Sequence, residues 1–410
     1  MIALTDTVTQ ISPSAEPVAA ATGVVRLMLT DFRNYDHLRL ETDLRPVVLA
    51  GANGAGKTNI LEALSYLAPG RGLRGVRLSE AGRRAPAEDV GRPWAIAADV
   101  ETPVGSVRLG TGLEPAATDR RAVHIDGKSA RGAAALAQYV AVTWITPALD
   151  RLFTDTPGAR RKFLDRLVTA LDAEHASRCA AYDQALRRRT KLFRDGVTDA
   201  AWYEALEDTL CRYGVAIAAA RRDVVNRLNA ALRAEDGPFP AARIGLSGFV
   251  DDCLEESAAV DAEDALRDAL QASRRYWPGD GEPPPAPGPN RSDVIVTMLK
   301  TARPAAECST GEQKALLISI VLAHVKLQTE TSGRAPLLLL DEVAAHLDPD
   351  RRSHLFGRLI ESGTQTWLTG TDLAVFTEFG NAAQFLTVAN GTLKPWSADP
   401  FVGGHTRISS

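Results

Sequence analysis

Apolar and polar residues follow one another in several patterns along this chain, and each pattern predicts a different element. Residues 24–29 mix apolar and polar positions and residues 37–41 alternate them, so we expect a β-hairpin. Residues 45–50 hold a compact apolar run, which is typical of a short buried strand. Residues 90–145 alternate again and include an Asp-Gly turn signal, which predicts an added antiparallel sheet closed by residues 144–147.

The middle of the chain has the spacing of long helices. Between residues 163 and 232 apolar side chains recur every three or four positions, as at Leu164, Leu167 and Leu171. This period predicts two or three long helices. The following stretch is predicted to form, in order, a short strand, an acidic helix and a proline-rich linker (residues 242–249, 255–272 and 277–289).

Composition places the 410-residue chain among globular proteins, with 45% hydrophobic and 24% charged residues. The net charge of −4 gives no overall attraction to nucleic acid, so any such contact must come from local basic patches. The four cysteines lie far apart, which indicates reduced thiols in a cytoplasmic protein. We expect no membrane partner, since no apolar run approaches about 20 residues. Residues 1–22 are predicted to be a disordered tail.

Residues 51–59 have the chemistry of a phosphate-binding loop. Their sequence G-A-N-G-A-G-K-T-N fits G-x-x-x-x-G-K-[ST], in which glycines let backbone N–H groups converge on one anion. Lys57 is then expected to reach the β- and γ-phosphates, and Thr58 to hold Mg²⁺. A strand before the loop and a helix after it support this assignment. The predicted ATP-binding residues here are Gly51, Ala52, Asn53, Gly54, Ala55, Gly56, Lys57, Thr58 and Asn59.

A second stretch carries two acidic residues at the end of an apolar run. Four leucines at residues 337–340 suit a fully buried parallel strand, and Asp341 and Glu342 follow directly. A carboxylate that emerges from such a strand can hold Mg²⁺ or its water shell, a role we assign to Asp341. Glu342 is placed to polarise the attacking water as general base. With Lys57 these residues predict an Mg²⁺-dependent site of ATP hydrolysis.

A third stretch, residues 308–314, precedes a helical run and predicts a second anion site. Ser309 and Gly311 stand where the N–H groups of a helix N-terminus point outward. One γ-phosphate does not need two such sites in one chain. The sequence S-T-G-E-Q resembles the signature of ATP-binding-cassette proteins, and this resemblance adds Gln313 to the site and implies that the site serves a neighbouring subunit. The alternative is an ordinary helix capped by Ser309 or Thr310.

Two further segments are candidates for contacts with the nucleotide. The turn at residues 369–372 holds no histidine where transporter ATPases carry one, and a hydroxyl there is the nearest equivalent for a γ-phosphate contact. Arg33 and Tyr35 lie in the hairpin ahead of the phosphate loop. They either touch nucleotide or DNA, or pack as ordinary turn residues, and both alternatives stay open.

Basic residues cluster at three places in the helical region, and together they predict a DNA-facing surface. One of these places is the pair Arg221-Arg222. For any single cluster the alternative is a solvated helix face. The predicted DNA-binding residues are Arg160, Arg161, Lys162, Arg187, Arg188 and Arg189.

These elements predict an α/β fold with a cassette-type P-loop ATPase head, built of a mixed sheet with helices plus an antiparallel subdomain, and an inserted helical arm. The arm separates the phosphate loop from the carboxylate pair. The expected divisions are the tail, the first half of the head, the arm with its proline-rich linker, and the second half of the head (residues 1–22, 23–158, 159–290 and 291–410).

The motifs resemble those of the RecF family, bacterial recombination-mediator ATPases of the SMC-like group. The resemblance rests on the phosphate loop and on L-T-D-F-R-N-Y at residues 29–35, P-G-A-R-R-K-F-L-D at residues 157–165 and R-S-D at residues 291–293. It runs in the same order over about residues 24–395. Asn290 departs from the histidine that the family often has, and no glutamine-loop residue stands out near Thr146.

The resemblance implies a protein that binds ATP, forms a homodimer around two nucleotides, and binds duplex and single-stranded or gapped DNA. It further implies RecO and RecR mediator partners and slow, DNA-dependent ATP hydrolysis that releases the DNA clamp. The expected role is to help load recombinase during DNA repair, replication restart and the response to DNA damage. Two alternatives are the energising subunit of an ATP-binding-cassette transporter and a structural scaffold that binds ATP without hydrolysing it.

Overall fold

The computed structural model describes residues 22–84, 91–114, 120–234, 237–275 and 285–396. The predicted tail up to residue 21 and most of the proline-rich linker lie outside them. The strands are β1 (Gly23–Phe32), β2 (Tyr35–Glu41), β3 (Val47–Ala50), β4 (Trp94–Thr102), β5 (Gly105–Leu113), β6 (Arg121–Ile125), β7 (Lys128–Ser129), β8 (Val142–Ile145), β9 (Ala242–Ser247), β10 (Asp293–Met298), β11 (Arg303–Pro304), β12 (Leu337–Leu340), β13 (Thr366–Gly370), β14 (Gln384–Ala389) and β15 (Thr392–Pro395). The helices are α1 (Lys57–Ser65), α2 (Leu78–Ala81), α3 (Pro157–Leu171), α4 (His175–Arg194), α5 (Ala200–Arg233), α6 (Phe249–Glu256), α7 (Ala259–Arg275), α8 (Thr310–Ser332) and α9 (Pro349–Glu361).

The central sheet is parallel and buried. Its strand order is β15-β14-β3-β13-β12-β8, and only the edge strand β15 runs antiparallel to its neighbour. Leu338 and Leu340 pack on one face into a hydrophobic cluster that includes α8. Leu337 and Leu339 pack on the other face with α1 and the antiparallel sheet. The predicted buried strand at residues 337–340 is therefore confirmed, because both of its faces are covered.

The prediction that residues 144–147 close the antiparallel sheet is wrong. The strand there, β8, pairs in parallel with β12, and Ile145 lies opposite Leu340. All four residues of β8 are buried, as expected for a strand of the central sheet. The sequence does not reveal that β8 belongs to a different sheet from the alternating strands before it, because a strand of four residues is too short to show a hydrophobic period.

The antiparallel sheet has the order β2-β1-β4-β5-β6-β7. The predicted first hairpin is confirmed by the pairing of β1 with β2, in which Phe32 lies opposite Tyr35. The second hairpin joins β6 to β7 through Asp126 and Gly127, whose φ values are 49° and 77°. Positive φ at both central positions is the geometry of the type I′ turn that an Asp-Gly pair favours.

The arm is helical, and α3, α4 and α5 confirm the two or three long helices expected there. Helices α4 and α5 form an antiparallel pair in which the rings of Phe193 and Tyr203 lie 5.0 Å apart. Helix α7 packs on this pair through Leu266 and Leu270. The single acidic helix expected over residues 255–272 is divided into α6 and α7.

The base of the arm shares a hydrophobic cluster with the head. Leu164 of α3 and Leu228 of α5 are buried in the same cluster as Ile320 of α8. The expected division at residue 290 falls between β9 and β10, which pair as neighbours in a three-stranded sheet of order β11-β10-β9. The chain then passes from β10 through β11 to the start of α8. The arm is thus packed onto the segment that precedes Ser309.

Candidate nucleotide-binding site

The phosphate loop joins the end of β3 to the start of α1, as expected. Gly56 has φ of 114°, and a Cβ at this position would lie 2.6 Å from the hydroxyl of Tyr35. A Cβ at Gly51 would lie 2.2 Å from the carbonyl oxygen of Val388 in β14. Both positions therefore require glycine, because the loop is packed directly against other segments of the same chain. Residues 52–54 at the tip of the loop are exposed.

Lys57 is enclosed by its own loop. Its side chain is 4% exposed, and Nζ donates to the carbonyl oxygens of Gly51, at 2.7 Å, and Ala52, at 2.9 Å. Burial lowers the pKa of Lys57, while the charges of Glu342 and Asp341 act in the opposite direction. The ammonium group is thus held between the loop and the two carboxylates, at the position from which it would serve an anion bound in the loop.

Asp341 is the meeting point of three segments. The carboxylate is 5% exposed and accepts hydrogen bonds from the hydroxyl of Thr58, at 2.9 Å to Oδ1 and 3.1 Å to Oδ2. The hydroxyl of Thr369 donates to the same Oδ1 at 2.7 Å. These are hard oxygen donors, the ligand type that Mg²⁺ prefers. A hydroxyl and a carboxylate that already converge within hydrogen-bonding distance therefore fit a shared Mg²⁺.

Glu342 follows in an unusual backbone conformation. Its φ is 54°, in the left-handed region that residues other than glycine rarely adopt. The backbone N–H of Glu342 donates to the hydroxyl oxygen of Thr369 at 2.9 Å. Such local strain persists only where the surroundings hold it, and it is common in functional sites. The side chain is half-buried beside the phosphate loop, where its charge acts on Lys57.

Thr369 belongs to the turn at residues 369–372, which was expected to offer a hydroxyl to the γ-phosphate. The Thr369 hydroxyl is 1% exposed and engaged with Asp341 and Glu342, whereas Thr371 is exposed, so the expectation stays a prediction for Thr371 alone. The signal for this role is a hydroxyl at the carboxyl end of a buried strand. Only the strand order shows that this strand, β13, lies between β3 and β12.

The β1–β2 hairpin packs against the phosphate loop and the helix that follows it. Tyr35 is buried and its hydroxyl donates to the carbonyl of Gly56 at 3.1 Å. Arg33 donates to both carboxylate oxygens of the buried Glu62 in α1. Asn59 also donates to Asn34 in this hairpin, at 2.7 Å. Of the two alternatives for Arg33 and Tyr35, the structure shows packing against the phosphate loop and its helix.

The second predicted anion site lies at the start of α8. Ser309 is the N-cap residue: its side chain accepts from Glu312 N–H, and the Glu312 carboxylate accepts from Ser309 in return. Gln313 is 7% exposed and donates to the carbonyl of Cys308 at 2.9 Å. Gly311 has open space where a side chain would be. The hydrogen bonds of Ser309 and Gln313 stay within this segment, so both the capped-helix alternative and an outward-facing anion site are compatible with it.

The first basic cluster is largely engaged in internal contacts. Arg160 forms a two-point ion pair with Asp293, at 2.8 and 2.7 Å. Arg161 donates to the carbonyl of Ser292 at 2.6 Å. Lys162 alone of the three is exposed. The prediction for Arg160 and Arg161 therefore needs correction, because their guanidinium groups bind Ser292 and Asp293 at the start of β10 and are not free for DNA.

The second cluster divides between two sides of α4. Arg187 and Arg188 are exposed, whereas Arg189 is 2% exposed. Arg189 pairs with the buried Glu207 at 3.0 Å and donates to the carbonyl of Leu270 at 2.9 Å. Arg189 lies four residues after the buried Ala185, so helical geometry places both on the inner face. Arg189 is therefore wrong as a predicted DNA contact.

The third cluster lies next to a group of potential metal ligands, and its second member, Arg222, donates to the carbonyl of Asp251 at 3.4 Å. Arg221 is 4% exposed and its guanidinium donates to both carboxylate oxygens of Asp165, each at 2.8 Å. Asp165 also contacts His175, which lies beside Cys179. Burial raises the pKa of the Cys179 thiol to about 12, so it is protonated. A protonated thiol and an arginine on the carboxylate both oppose a cation here, and we interpret the group as structural.

A parallel sheet with a phosphate loop after one strand, a carboxylate pair after another and an inserted helical arm defines the class: a cassette-type P-loop ATPase fold. The RecF/RecN/SMC N terminal domain family matches residues 23–392. A relative from Mesorhizobium japonicum, named DNA replication and repair protein RecF, is 46% identical over 384 residues, covering 92% of this chain and 98% of the relative. One of the same name from Caulobacter vibrioides is 44% identical over 383 residues, covering 91% and 98%. This chain belongs to the RecF family.

Solved structures show the same fold. A structure of the recombination mediator protein RecF-ATPrS in the RecFOR pathway matches with a TM-score of 0.77 at 19% identity, covering 92% of this chain and 99% of that one. The Smc head domain of Pyrococcus furiosus, bound to the C-terminal domain of ScpA, matches with a TM-score of 0.52 at 15% identity, covering 92% and 96%. The family membership argues against the transporter-subunit alternative. Separately, the described helices include none that is long and apolar enough to cross a membrane.

Proposed function

We propose that this chain is an ATP-dependent DNA-binding protein of recombinational repair and replication restart. The observation that carries the proposal is the junction at Asp341, where the Thr58 hydroxyl of the phosphate-loop helix meets the carboxylate at the end of β12. The junction supports nucleotide binding and hydrolysis, since it joins phosphate-binding and Mg²⁺-binding groups. The role in repair rests on the similarity to proteins named DNA replication and repair protein RecF.

In this proposal the phosphate loop binds the triphosphate of ATP through its N–H groups and Lys57. Thr58 and Asp341 hold Mg²⁺, which when bound offsets negative charge on the phosphate oxygens. Glu342 takes the proton of the attacking water. Burial lowers the pKa of Lys57, and Asp341 and Glu342 partly offset this effect because they favour its charged form.

The site in one chain is half of the proposed catalytic unit. Ser309, Gly311 and Gln313 lie in a separate segment whose hydrogen bonds are local. We assign this segment to the γ-phosphate held by a second copy of the chain, so that two ATP molecules join two heads. Symmetry then gives two identical composite sites in a homodimer. Hydrolysis, by removing the γ-phosphate, loosens the dimer and releases DNA.

The DNA surface in this proposal is smaller than the sequence indicates. Lys162, Arg187 and Arg188 are exposed and able to reach phosphates, whereas Arg160, Arg161 and Arg189 serve internal contacts. We place duplex and single-stranded or gapped DNA on the exposed residues. By similarity to the RecF of the RecFOR pathway, RecO- and RecR-type mediators are the proposed partners, and recombinase loading in the cytoplasm the proposed outcome.

The proposal is tested by measuring ATP turnover alone, with duplex DNA and with gapped DNA of equal length. We expect slow turnover that DNA increases and that Lys57→Ala abolishes. Turnover that does not change when DNA is added would contradict the proposal that DNA stimulates hydrolysis at this site. Absence of turnover in all three conditions, with ATP binding intact, would contradict hydrolysis and favour the scaffold alternative.

A further inference from the structure

Thr369 occupies a position from which it touches both acidic residues of the site. It lies in β13, between β3, which leads into the phosphate loop, and β12, which directly precedes Asp341. Its hydroxyl donates to Asp341 Oδ1 at 2.7 Å and accepts from the N–H of Glu342 at 2.9 Å. A hydroxyl has one proton to donate, and this one is committed to Asp341. It is therefore not available to a phosphate oxygen.

The contact with Asp341 complements that of Thr58. Both hydroxyls donate to Oδ1 of the carboxylate, one from α1 and one from β13. If the Thr58 oxygen ligates Mg²⁺, its bond to Asp341 must rearrange, because that oxygen then faces the cation. The Thr369 bond requires no such change. Thr369 is thus the contact that keeps the Asp341 carboxylate oriented while the other hydroxyl serves the metal.

The contact with Glu342 holds a strained backbone. Glu342 has φ of 54°, and its N–H is satisfied by the Thr369 hydroxyl. Without that acceptor the half-buried N–H loses this partner, and the left-handed conformation loses one of the contacts that maintain it. The direction in which the Glu342 side chain leaves the strand depends on this conformation. One hydroxyl therefore sets the relative placement of the Mg²⁺ carboxylate and the general base.

We propose that Thr369 is a positioning residue for ATP hydrolysis, which orients Asp341 and Glu342 and makes no contact with the γ-phosphate. This rests on the proposed ATPase function. The effect on Asp341 is also visible in binding, since a misoriented carboxylate weakens the gain in nucleotide affinity that Mg²⁺ provides. That gain is measurable in protein that does not turn over, so failure of the two proposals can be told apart.

The test compares Thr369→Val, which keeps the shape but removes the hydroxyl, with Thr369→Ser, which retains it. Thr366→Val is the matched control, because Thr366 is fully buried in the same strand and its hydroxyl donates to the carbonyl of Thr364, outside the site. Two quantities are measured for each variant. One is kcat and KM for ATP with Mg²⁺, and the other is the ratio of affinities for a fluorescent ATP analogue in Mg²⁺ and in EDTA.

We expect Thr369→Val to lower kcat about 10- to 100-fold and to reduce the Mg²⁺-to-EDTA affinity ratio, as removal of a residue that supports a metal ligand does. Thr369→Ser should restore most of both, and Thr366→Val should change neither. Wild-type behaviour of Thr369→Val would overturn the proposal, as would equal defects in the Val and Ser variants. Weaker binding of the ATP analogue in EDTA, with ADP binding unchanged, would overturn it in favour of a direct γ-phosphate contact. Absence of turnover in wild-type protein would contradict the proposed ATPase function. A normal ratio of affinities in Mg²⁺ and EDTA for Thr369→Val would contradict the positioning role.

Discussion

The hydroxyl of Thr58 donates to both carboxylate oxygens of Asp341, across 283 residues of sequence. Thr58 lies in the first turn of α1, the helix after the phosphate loop, and Asp341 directly follows β12, on the far side of the inserted arm in the sequence. This contact shows that the two halves of the head meet at one edge of the central sheet. The arm is inserted between these two halves in the sequence. The site is thus a product of the complete head and not of either half.

This relationship predicts the effect of Asp341→Asn. The amide keeps the size of the side chain but is a poor ligand for Mg²⁺, so ATP affinity should become nearly the same in Mg²⁺ and in EDTA. Turnover should fall by more than about 100-fold, since even residues that only support a ligand cost about 10- to 100-fold. Asp199→Asn is the control, because Asp199 caps α5 and Asn caps equally well. Persistent Mg²⁺ dependence in Asp341→Asn would show that another group holds the metal.

The exposed pair Arg187 and Arg188 should contribute to DNA binding through phosphate contacts. Reversal of both charges to Glu should weaken binding and lower the slope of log affinity against log salt by about 2, since each lost phosphate contact removes about 0.9. Thermal stability should be unchanged. Charge reversal of the exposed Lys128 and Arg131 alters net charge equally, on a different part of the head, and serves as control. Equal weakening by both double variants would point to a general charge effect.

Arg189 should behave in the opposite way. Arg189→Ala leaves the buried Glu207 without its partner, at a cost of about 3–5 kcal/mol in the free energy of unfolding. Chemical denaturation measures this loss. Replacing the pair by Met and Leu removes both charges and should recover most of the stability. DNA affinity of folded Arg189→Ala protein should retain the wild-type salt slope. A reduced slope of log affinity against log salt would indicate that Arg189 does contact DNA.

Stability should fall in acid because of His324 in α8. Burial lowers its pKa to about 4, and Nε2 contacts the carbonyl of Leu167 at 2.9 Å. The unfolded chain, with an ordinary pKa near 6.5, binds the proton first, so stability is lost as pH falls from about 6.5 to about 4. Between about pH 7.5 and pH 5 this amounts to about 2 kcal/mol.

Chemical denaturation at the two pH values tests this dependence. The variant His324→Gln should show a smaller pH dependence than wild type by that amount. The exposed His37 provides the control, since His37→Gln should leave the dependence unchanged. An equal loss of stability in wild type and His324→Gln would assign the acid sensitivity to other groups.

Local signals were sufficient for the two motifs at the centre of the site. The phosphate loop is recognisable because its glycines, Lys57 and Thr58 are contiguous in sequence. The strand before Asp341 is recognisable because four consecutive leucines suit a short strand that is buried on both faces. The helical arm is likewise predictable, since its period extends over long helices.

The remaining features depend on contacts between distant segments. The role of Thr369 requires the strand order, and the pairing of Arg160 with Asp293 joins residues 133 apart. Arg189 differs from Arg187 only in the face of α4 that it occupies, which depends on what packs beneath that helix. A run of basic residues does not distinguish a solvent-facing cation from one that closes a buried ion pair.

The most direct test of the composite site mixes two inactive variants. Lys57→Ala lacks the phosphate lysine, and Ser309→Arg obstructs the segment assigned to the partner's nucleotide. Each alone should be inactive, because every site in its homodimer is defective. In an equal mixture, half of the dimers are mixed and carry one intact site of two, so turnover should recover to about a quarter of wild type. Turnover no higher than the sum of the separate variants, with mixed dimers demonstrated, would contradict the sharing of one ATP by two chains.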